Sequence, residues 1–507
     1  RANPHFPPGW RREQDEDTIV SIRIENRTPF SVDVMIRSGC GCICLATIAA
    51  SKRMQLKAFV GTSYFIRQHD TDVSDLFITK RDVSGQEYKE RLVFEIEEEG
   101  QTFVIPGDAT TMMMLPCVDL NADRLLQIKH NDPTVNSLSL YCSSGKSFVR
   151  SVDWNSERNC FANNTVLKKL CIVEPDTNDE NIVTLLEEVA RNTSIEHLDV
   201  CIGDHSACQI ILPLSPFFRG NCALRSIDIS KCSLDDYSVD LLASVLVHRH
   251  TLESVVFHHC GMEDYWTEKL VTALMGLHNL LLLSFWENAG AVEERGAAAL
   301  AALLQNPMSN LITLDLSDCD IYDEEPLRIL AKGLSDNKSL KLLNLSNVSD
   351  HDAPTLPATG WRALSLMSPN CTLEKLDLSD NYIDDESLPS LAYALVSIRA
   401  VKILNLHCHY HRVGFDGWRQ LSAAIGQNCA LEELTLNPNT ITDEGLTMLI
   451  LALHNCSSLK VLKLRFYFSF VTKARLMEVV SLLLNPNSVL EELHLGCGNR
   501  FCQSFAW

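Results

Sequence analysis

The stretch L-I-T-L-D-L-S-D-C-D-I, residues 311–321, is the clearest copy of a pattern that recurs along most of the chain. Its apolar residues Leu311, Leu314 and Leu316 are followed by Cys319 and Ile321, which fits the spacing L-x-x-L-x-L-x-x-N/C-x-L. Eleven further copies, some of them weaker, begin at Leu167, Ile195, Leu224, Leu252, Leu280, Leu340, Leu373, Val401, Leu431, Leu459 and Leu490. Successive copies start 28 to 33 residues apart, and this regularity indicates a repeat architecture.

Each copy combines two periods. Leu314 and Leu316 are two residues apart, as on a strand with one buried face, whereas Leu327, Leu330 and Leu334 recur at helical spacing. Asp and Glu crowd the starts of the helical stretches, where they can cap free N–H groups. The sequence therefore predicts an α/β fold, a curved solenoid with parallel strands on its concave side and helices on its convex side.

These features resemble the ribonuclease-inhibitor type of leucine-rich repeat. The units are near 29 residues long, contain a helix, and several carry Cys or Asn at their ninth position, namely at Cys232, Cys260, Cys319, Asn381 and Asn439. The resemblance covers residues 167–507 and about twelve repeats. It implies a platform that binds other proteins, without specifying which ones.

The N-terminal part of the chain has a different pattern. Alternating segments such as V-S-I-R-I-E (residues 20–25) and L-V-F-E-I-E (residues 92–97) predict a small antiparallel β domain over residues 18–106. Residues 1–17 are expected to form a flexible segment. Residues 107–166 are expected to link the domains and to cap the first apolar face of the solenoid, which Val135, Leu138 and Leu140 could cover.

Part of this β domain resembles the β domain of the von Hippel-Lindau family, substrate receptors of ubiquitin ligases. The resemblance rests on I-R-I-E-N-R-T-P-F-S-V-D-V (residues 22–34) and A-F-V-G-T-S-Y-F-I-R-Q-H-D (residues 58–70). A serine and a histidine of that family bind hydroxyproline, but Ala58 and Thr62 stand at the aligned positions here. The resemblance therefore implies the fold without hydroxyproline recognition, and an unrelated β sandwich is the alternative.

Composition limits the classes of partner and compartment. The formal net charge of −21 argues against nucleic acid and favours solubility or a basic protein partner. No apolar run reaches the length of a membrane-spanning helix. Many of the 19 cysteines occupy repeat positions where a buried thiol packs, so we expect a cytoplasmic or other reducing intracellular compartment. Organelle import stays open, because the chain starts at Arg1 without a methionine.

Two clusters have metal-ligating side chains. Cys40, Cys42 and Cys44 could place three thiols on one strand face, and residues 407–411 read H-C-H-Y-H. A structural zinc site normally has four ligands, often with C-x-x-C spacing, and no such pair is present. We therefore expect no metal, no cofactor and no catalytic site.

The candidate binding surface is the concave face, because residues between the buried ones of each strand point into the curve. The polar and aromatic candidates there are Asp199, Asp228, His258, His259, Trp286, Glu287, Asp315, Asp318, Asp377, Asp380, His407 and Arg465. Longer repeats add rim loops that contain His351, Asp352 and Arg412. For any single Asp, the simpler interpretation is that it only solvates the strand.

The function predicted from these features is a non-catalytic scaffold for protein–protein interaction, or a subunit of a larger complex. The alternative is a substrate receptor of a cullin-type ubiquitin ligase, in which the β domain engages the ligase and the solenoid selects the substrate. An enzyme is the third and weakest hypothesis.

Overall fold

The computed structural model divides into two compact units, Arg1–Val118 with Arg500–Gln503 and Asp119–Asn499 with Ser504–Trp507. The structure describes residues 122–497 except 143–147, 156, 158, 177, 204–206, 222, 322, 336, 349–357, 368–371, 399, 408, 411–412, 428–429, 438–440, 455, 467–476, 478, 481 and 483–488. Between residues 19 and 111 and between 500 and 506, and at residues 409–410, 465–466 and 495–497, it describes the backbone of strands without their side chains.

The described part of the first unit consists of short strands. They are β1 (Ile19–Asn26), β2 (Val32–Ser38), β3 (Gly41–Ile48), β4 (Arg53–Phe59), β5 (Ser63–Gln68), β6 (Leu76–Arg81), β7 (Glu87–Arg91), β8 (Val93–Glu95), β9 (Thr102–Ile105) and β10 (Thr110–Thr111). They form three sheets with the orders β4-β1-β9, β10-β6-β7 and β3-β2-β5-β8. The pairs are antiparallel except β1 with β9, which is parallel. The von Hippel-Lindau resemblance depends on side chains outside the described residues and stays a prediction.

The second unit alternates strands and helices. Its strands are β11 (Ser137–Tyr141), β12 (Lys169–Val173), β13 (His197–Cys201), β14 (Ser226–Ser230), β15 (Ser254–His258), β16 (Leu282–Ser284), β17 (Thr313–Asp315), β18 (Leu342–Asn344), β19 (Lys375–Asp377), β20 (Tyr382–Ile383), β21 (Ile403–Leu406), β22 (His409–Tyr410), β23 (Glu433–Leu436), β24 (Val461–Phe466) and β25 (Glu492–Cys497), and β26 (Arg500–Ala506) ends the chain. Its helices are α1 (Ala122–Lys129), α2 (Phe148–Ser151), α3 (Glu180–Val189), α4 (Ala207–Gly220), α5 (Asp236–Leu246), α6 (Asp264–Leu274), α7 (Glu294–Gln305), α8 (Glu324–Ser335), α9 (Ala358–Ala363), α10 (Leu388–Ser397), α11 (Phe415–Gln427) and α12 (Asp443–His454), and a 3₁₀ turn spans Leu364–Leu366.

Strands β11 to β19, β21 and β23 to β25 form a parallel sheet, and the predicted repeat architecture is confirmed. Each of these strands pairs with the strand of the next repeat, and β20 and β22 form a separate parallel pair. Leu283, Leu314 and Leu343 occupy matching positions on neighbouring strands and are at most 2 % exposed. Burying a leucine side chain stabilises a fold by roughly 1.5–3 kcal/mol, so this stacked core holds the repeats together.

The convex layer follows the predicted helical periods. The leucines that recur at helical spacing, Leu327, Leu330 and Leu334, lie on α8 and are buried. Trp361 on α9 and Trp418 on α11 are each 1 % exposed. No helix in the described part of the chain is long and apolar enough to cross a membrane.

The ninth position of a repeat links that repeat to the one before it. The Asn288 amide donates to the carbonyl oxygens of Phe257 (2.9 Å) and Phe285 (2.8 Å), and its Oδ1 accepts from the backbone N–H groups of Cys260 (2.7 Å) and Met262 (3.2 Å). Asn381 donates in the same way to two carbonyls on consecutive repeats, Leu345 and Leu378. An Asn at this position thus satisfies backbone groups that burial would otherwise leave without partners.

A cysteine at the ninth position forms some of the same hydrogen bonds between repeats. Cys232, Cys260 and Cys319 are buried free thiols, as predicted. Burial raises the pKa of the Cys319 thiol, which stays protonated and donates to the carbonyl of Phe285 in the preceding repeat at 3.1 Å. A thiol offers one weak donor where the Asn amide offers two strong donors and an acceptor.

Helix starts are capped within and between repeats. Asp235 begins α5 with a capping box, in which its side chain and that of Ser238 each accept from the other residue's backbone N–H. Asp264, at the start of α6, reaches into the next repeat and accepts from the N–H groups of Glu293 (2.9 Å), Arg295 (3.0 Å) and Gly296 (2.6 Å) at the start of α7. One carboxylate therefore fixes the position of a neighbouring helix.

Candidate protein-binding surface

Alternate residues of each strand face the concave side. The pattern of burial on β12 to β15 alternates between buried and half-buried side chains, which places the half-buried ones on this face. We call the central set on this face the middle row; its members are half-buried except Ser284, which is buried. Its members are aligned across the sheet as Cys171, Asp199, Asp228, Val256, Ser284, Asp315, Asn344, Asp377, Asn405, Thr435, Lys463 and His494.

Asp199 and Asp228 are adjacent members of the middle row with different surroundings. Asp199 forms an ion pair with Lys169, with 3.0 Å between Oδ2 and Nζ. The Oδ1 atom of Asp228 is buried, and no described residue donates a hydrogen bond to it. Burial and the neighbouring charge of Asp199 raise the pKa of Asp228 to about 6. The fold therefore disfavours the ionised form of the Asp228 side chain.

Trp286 is the central aromatic side chain of the surface. It is 40 % exposed, and its indole stacks on the His258 ring with 3.8 Å between centroids and 11° between planes. The indole Nε1 donates to Asp318 Oδ2 at 3.0 Å. His258 in turn contacts Glu287, with 2.8 Å between Nε2 and Oε2. The indole is therefore held in one orientation while much of it faces solvent.

Charged and polar residues surround this tryptophan at the turn that follows each strand. His259 Nδ1 lies 3.4 Å from Glu287 Oε1, and Asn347 donates its amide to Asp318 Oδ1. His259, Glu287, Asp318 and Asn347 hold the eighth position of their repeats, and Lys231 and Asp380 hold it elsewhere. All six have φ between 49° and 57° and share a left-handed turn that projects one polar side chain per repeat.

Asp315 is engaged with its own repeat, whereas Asp377 is engaged with its own repeat and also accepts from the Asn405 amide of the next repeat at 3.1 Å. Asp315 Oδ1 accepts from the backbone N–H (3.0 Å) and the hydroxyl (2.7 Å) of Ser317, and Asp377 accepts likewise from Ser379. Asn344 makes the same backbone bond to its own Ser346 at 3.1 Å. Each of these Asp side chains therefore has a structural role in its own repeat. The carboxylates still place negative charge on the face.

The remaining candidates lie apart from the Trp286 cluster or outside the described residues. Asp380 is exposed and its backbone N–H donates to the carbonyl of His407, whose Nε2 lies 3.4 Å from the Asn437 amide. The side chains of Arg465, His351, Asp352, Arg412, Cys40, Cys42, Cys44, Cys408, His409 and His411 lie outside the described residues. Among the side chains that are described, no group of three or more His, Cys, Asp or Glu residues could hold a metal ion.

A further row, absent from the predicted sites, directly precedes the strands. We call it the edge row, and its members are Lys168, Glu196, Arg225, Glu253, Leu281, Ile312, Lys341, Glu374, Lys402, Glu432, Lys460 and Glu491. From Glu196 onward each backbone N–H donates to the carbonyl oxygen of the previous member at 2.7–2.9 Å. Counting back one residue from each strand would have found this row.

Comparisons with known proteins agree with the repeat architecture. A family model described as Leucine Rich repeat matches residues 308–324, 370–392 and 427–449. The chain is 25 % identical over 351 residues to NACHT, LRR and PYD domains-containing protein 9 of Bos taurus, a match that covers 66 % of this chain and 31 % of that protein. It is 30 % identical over 203 residues to the ribonuclease inhibitor of Mus musculus, covering 39 % of this chain and 42 % of the inhibitor.

Among solved structures, an internalin from Listeria monocytogenes aligns with 62 % of this chain and 83 % of its own, at 16 % identity and a TM-score of 0.33. The chain spans less than half the length of the relatives NACHT, LRR and PYD domains-containing protein 9 and ribonuclease inhibitor.

Proposed function

We propose that this chain, a leucine-rich repeat protein of the ribonuclease-inhibitor type, is a non-catalytic interaction protein that holds a partner protein against the concave face of its solenoid. The observation that carries the proposal is the environment of Trp286. Large aromatic side chains dominate protein interfaces when they are partly exposed and already ordered. Trp286 is 40 % exposed, yet the His258 stack and the Asp318 hydrogen bond fix its orientation. Little side-chain entropy is lost when a partner covers it.

The charges around the tryptophan support a basic partner. Glu287 and Asp318 are within one repeat of Trp286, and Asp315 and Asp377 add negative charge along the middle row. The whole chain carries a formal net charge of −21. Such a field attracts a positively charged partner and raises its rate of association, chiefly at low ionic strength.

The relatives support the same class of role. The name of the mouse ribonuclease inhibitor describes a protein that acts on another protein. Because the chain spans 42 % of that inhibitor and 31 % of the bovine NACHT, LRR and PYD domains-containing protein 9, the activities of the whole relatives are not transferred. The support concerns the class of role, which is the recognition of proteins.

Finer assignments stay predictions. A subunit role in a larger assembly is consistent with a rigid binding face, as is a scaffold that holds its partner transiently. The ubiquitin-ligase receptor hypothesis depends on residues 18–70, whose side chains lie outside the described residues. The reducing compartment is consistent with the buried free thiols Cys232, Cys260 and Cys319.

The test compares proteins recovered with the wild-type full chain and with two variants, by tagging the chain in its native cells and quantifying co-purified proteins by mass spectrometry. Trp286→Ala should reduce recovery of at least one stoichiometric partner about tenfold or more. Tyr237→Ala removes an aromatic that is 55 % exposed on helix α5, and should leave recovery unchanged. Equal recovery with both variants would overturn the concave-face proposal.

A charge variant separates the aromatic and electrostatic contributions. Asp315→Asn with Asp377→Asn removes two charges but retains an Oδ1 acceptor for Ser317 and Ser379, as Asn344 already provides for Ser346. We expect the same melting temperature and a slower association with a basic partner at low salt. If association is unchanged at low salt, the partner is not basic.

A further inference from the structure

The edge row alternates in charge and is interrupted at one place. From Lys168 to Glu253 its side chains alternate between positive and negative, and they alternate again from Lys341 to Glu491. Neighbours form ion pairs, such as Lys168 with Glu196 (3.0 Å), Lys402 with Glu374 (3.0 Å) and Lys460 with Glu432 (2.7 Å). Leu281 and Ile312 occupy the fifth and sixth of the twelve positions, although the backbone ladder runs through them without a break.

The two aliphatic residues do not change the order in which positive and negative side chains alternate along the edge row. Counting from Glu253, the next position would be positive and the one after it negative, and Lys341 then continues in phase. In a strictly alternating row, position 281 would therefore carry a positive side chain and position 312 a negative one, but Leu281 and Ile312 are found there. Two adjacent aliphatic side chains replace one ion pair in an otherwise regular series.

These aliphatic side chains face solvent in the described structure. Leu281 is 37 % exposed and Ile312 is 38 % exposed, and Met308, in the turn just before Ile312, is 56 % exposed. On the adjoining strand positions, Leu282 and Leu342 are half-buried and flank Thr313 in the sheet register. An exposed apolar patch rimmed by charged residues is typical of an interaction site.

The same two repeats present carboxylates at the other end of their strands. Asp315 lies three residues from Ile312, which is roughly 10 Å along an extended strand. Glu287 and Asp318 follow in the turns after β16 and β17, beside Trp286. From the edge toward these turns, the surface changes from apolar to acidic within two neighbouring repeats.

We propose that this surface docks a protein segment that is both apolar and basic, with aliphatic or aromatic side chains on Leu281 and Ile312 and lysine or arginine side chains on Glu287, Asp315 and Asp318. This inference rests on the proposed function and names the chemistry of the partner. The edge beside the patch has no net charge, because Glu253 and Lys341 flank it, so its contact is apolar. The acidic end selects cations, which disfavours the anionic surface of a membrane.

The decisive variant completes the edge row. Leu281→Lys with Ile312→Glu restores the alternation and gives each new charge an opposite neighbour, Glu253 and Lys341 respectively. Because surface ion pairs contribute little to stability, the melting temperature should change by no more than about 2 °C. Recovery of the partner from native cells should fall about tenfold. The matched control, Leu281→Ile with Ile312→Leu, keeps the patch apolar and should keep the partner.

A photo-crosslinking amino acid at position 312 then identifies the occupant. We expect a crosslink to a partner segment that contains both apolar and Lys or Arg residues, and none from the same probe at position 402 of the edge row. Crosslinks to lipid, to a second copy of this chain, or to an acidic or wholly polar segment would each overturn the inference.

The variants also separate this inference from the proposed function. Loss of the partner with Trp286→Ala but not with Leu281→Lys/Ile312→Glu would leave the concave-face function standing and overturn the edge docking. Loss with the edge variant alone would support the docking while removing Trp286 as the anchor. Retention with both would overturn both proposals.

Discussion

At the scale of single residues, Asp228 is the clearest case of a side chain whose position opposes its charge. Its buried Oδ1 receives no hydrogen bond from the described residues, and Asp199 is next to it in the sheet register. Its pKa is raised to about 6 from the usual 3.8. Since the ionised form is disfavoured in the fold, this group lowers stability as pH rises from about 4 to about 6, and the loss is complete above that window.

Asp228→Asn should therefore stabilise the protein at pH 7.5, by roughly 1–3 kcal/mol at the scale of 1.36 kcal/mol per pKa unit. The gain should be much smaller at pH 4, where Asp228 is neutral in the folded state and only partly ionised in the unfolded state, whose pKa is 3.8. Urea denaturation at the two pH values measures this. Asp315→Asn is the matched control, because Asp315 Oδ1 already accepts two hydrogen bonds from Ser317. A gain that is equal at both pH values would contradict the role assigned to burial.

The ninth-position residues give a second prediction. Asn288→Ala removes four buried hydrogen bonds to backbone groups of two repeats and should lower the free energy of unfolding by about 3–5 kcal/mol. Asn288→Cys should cost less, because Cys319 shows that a thiol still donates backward at this position. Denaturant unfolding of both variants ranks them, and equal losses would show that the thiol contributes nothing.

At the scale of elements, the notable feature is a helix start capped from another repeat. Asp264→Ala removes three hydrogen bonds from the start of α7 and should cost about 1–2 kcal/mol. Gly296→Ala should cost a similar amount, although alanine favours helices, because its Cβ would lie 2.5 Å from the Ala291 carbonyl oxygen and 2.8 Å from Asp264 Oδ1.

Thermal unfolding measures both substitutions. The matched control is Gly220→Ala at the end of α4, where a Cβ would meet nothing within 4 Å and stability should be unchanged or slightly higher. If Gly296→Ala behaves like this control, the close approach of Asp264 does not restrict the residue.

Strands and helices could be predicted from the sequence because their signals are local. Leu314 and Leu316 fix a strand face, and the spacing of Leu327, Leu330 and Leu334 fixes a helix face. The cap from Asp264 to Gly296 could not be predicted, because the two residues are 32 positions apart and meet only when repeats stack. Sequence patterns report local periods, whereas contacts between repeats depend on the stacking geometry.

The candidate site was predictable to the same degree. Position within the repeat predicts Trp286 on the concave face, and its side chain is 40 % exposed. The stack with His258 and the bond to Asp318 depend on rotamers, which spacing does not encode. The bonds between Asp315 and Ser317 likewise escape a pattern that records only which face a residue occupies.

At the scale of the whole molecule, the repeats contact mainly their neighbours, so damage should stay local. Hydrogen exchange of the Asn288→Ala variant should accelerate at the amides of β15, β16 and β17 and stay near wild-type rates in β23 and β24. Equal acceleration in both regions would show that the described solenoid opens as a single cooperative unit.

The asparagine bonds also determine how such a chain can gain or lose length. Asn288 donates backward to one repeat while its own repeat supplies carbonyls to the next, as Phe285 does to Cys319. A deletion that joins equivalent positions, such as removal of residues 289–319, takes out one 31-residue unit and leaves Asn288 at a ninth position. A deletion that joins positions that are not equivalent leaves the donors facing the wrong backbone groups. We therefore expect that whole repeats can be inserted or deleted with less disruption than parts of repeats, both in evolution and in protein engineering.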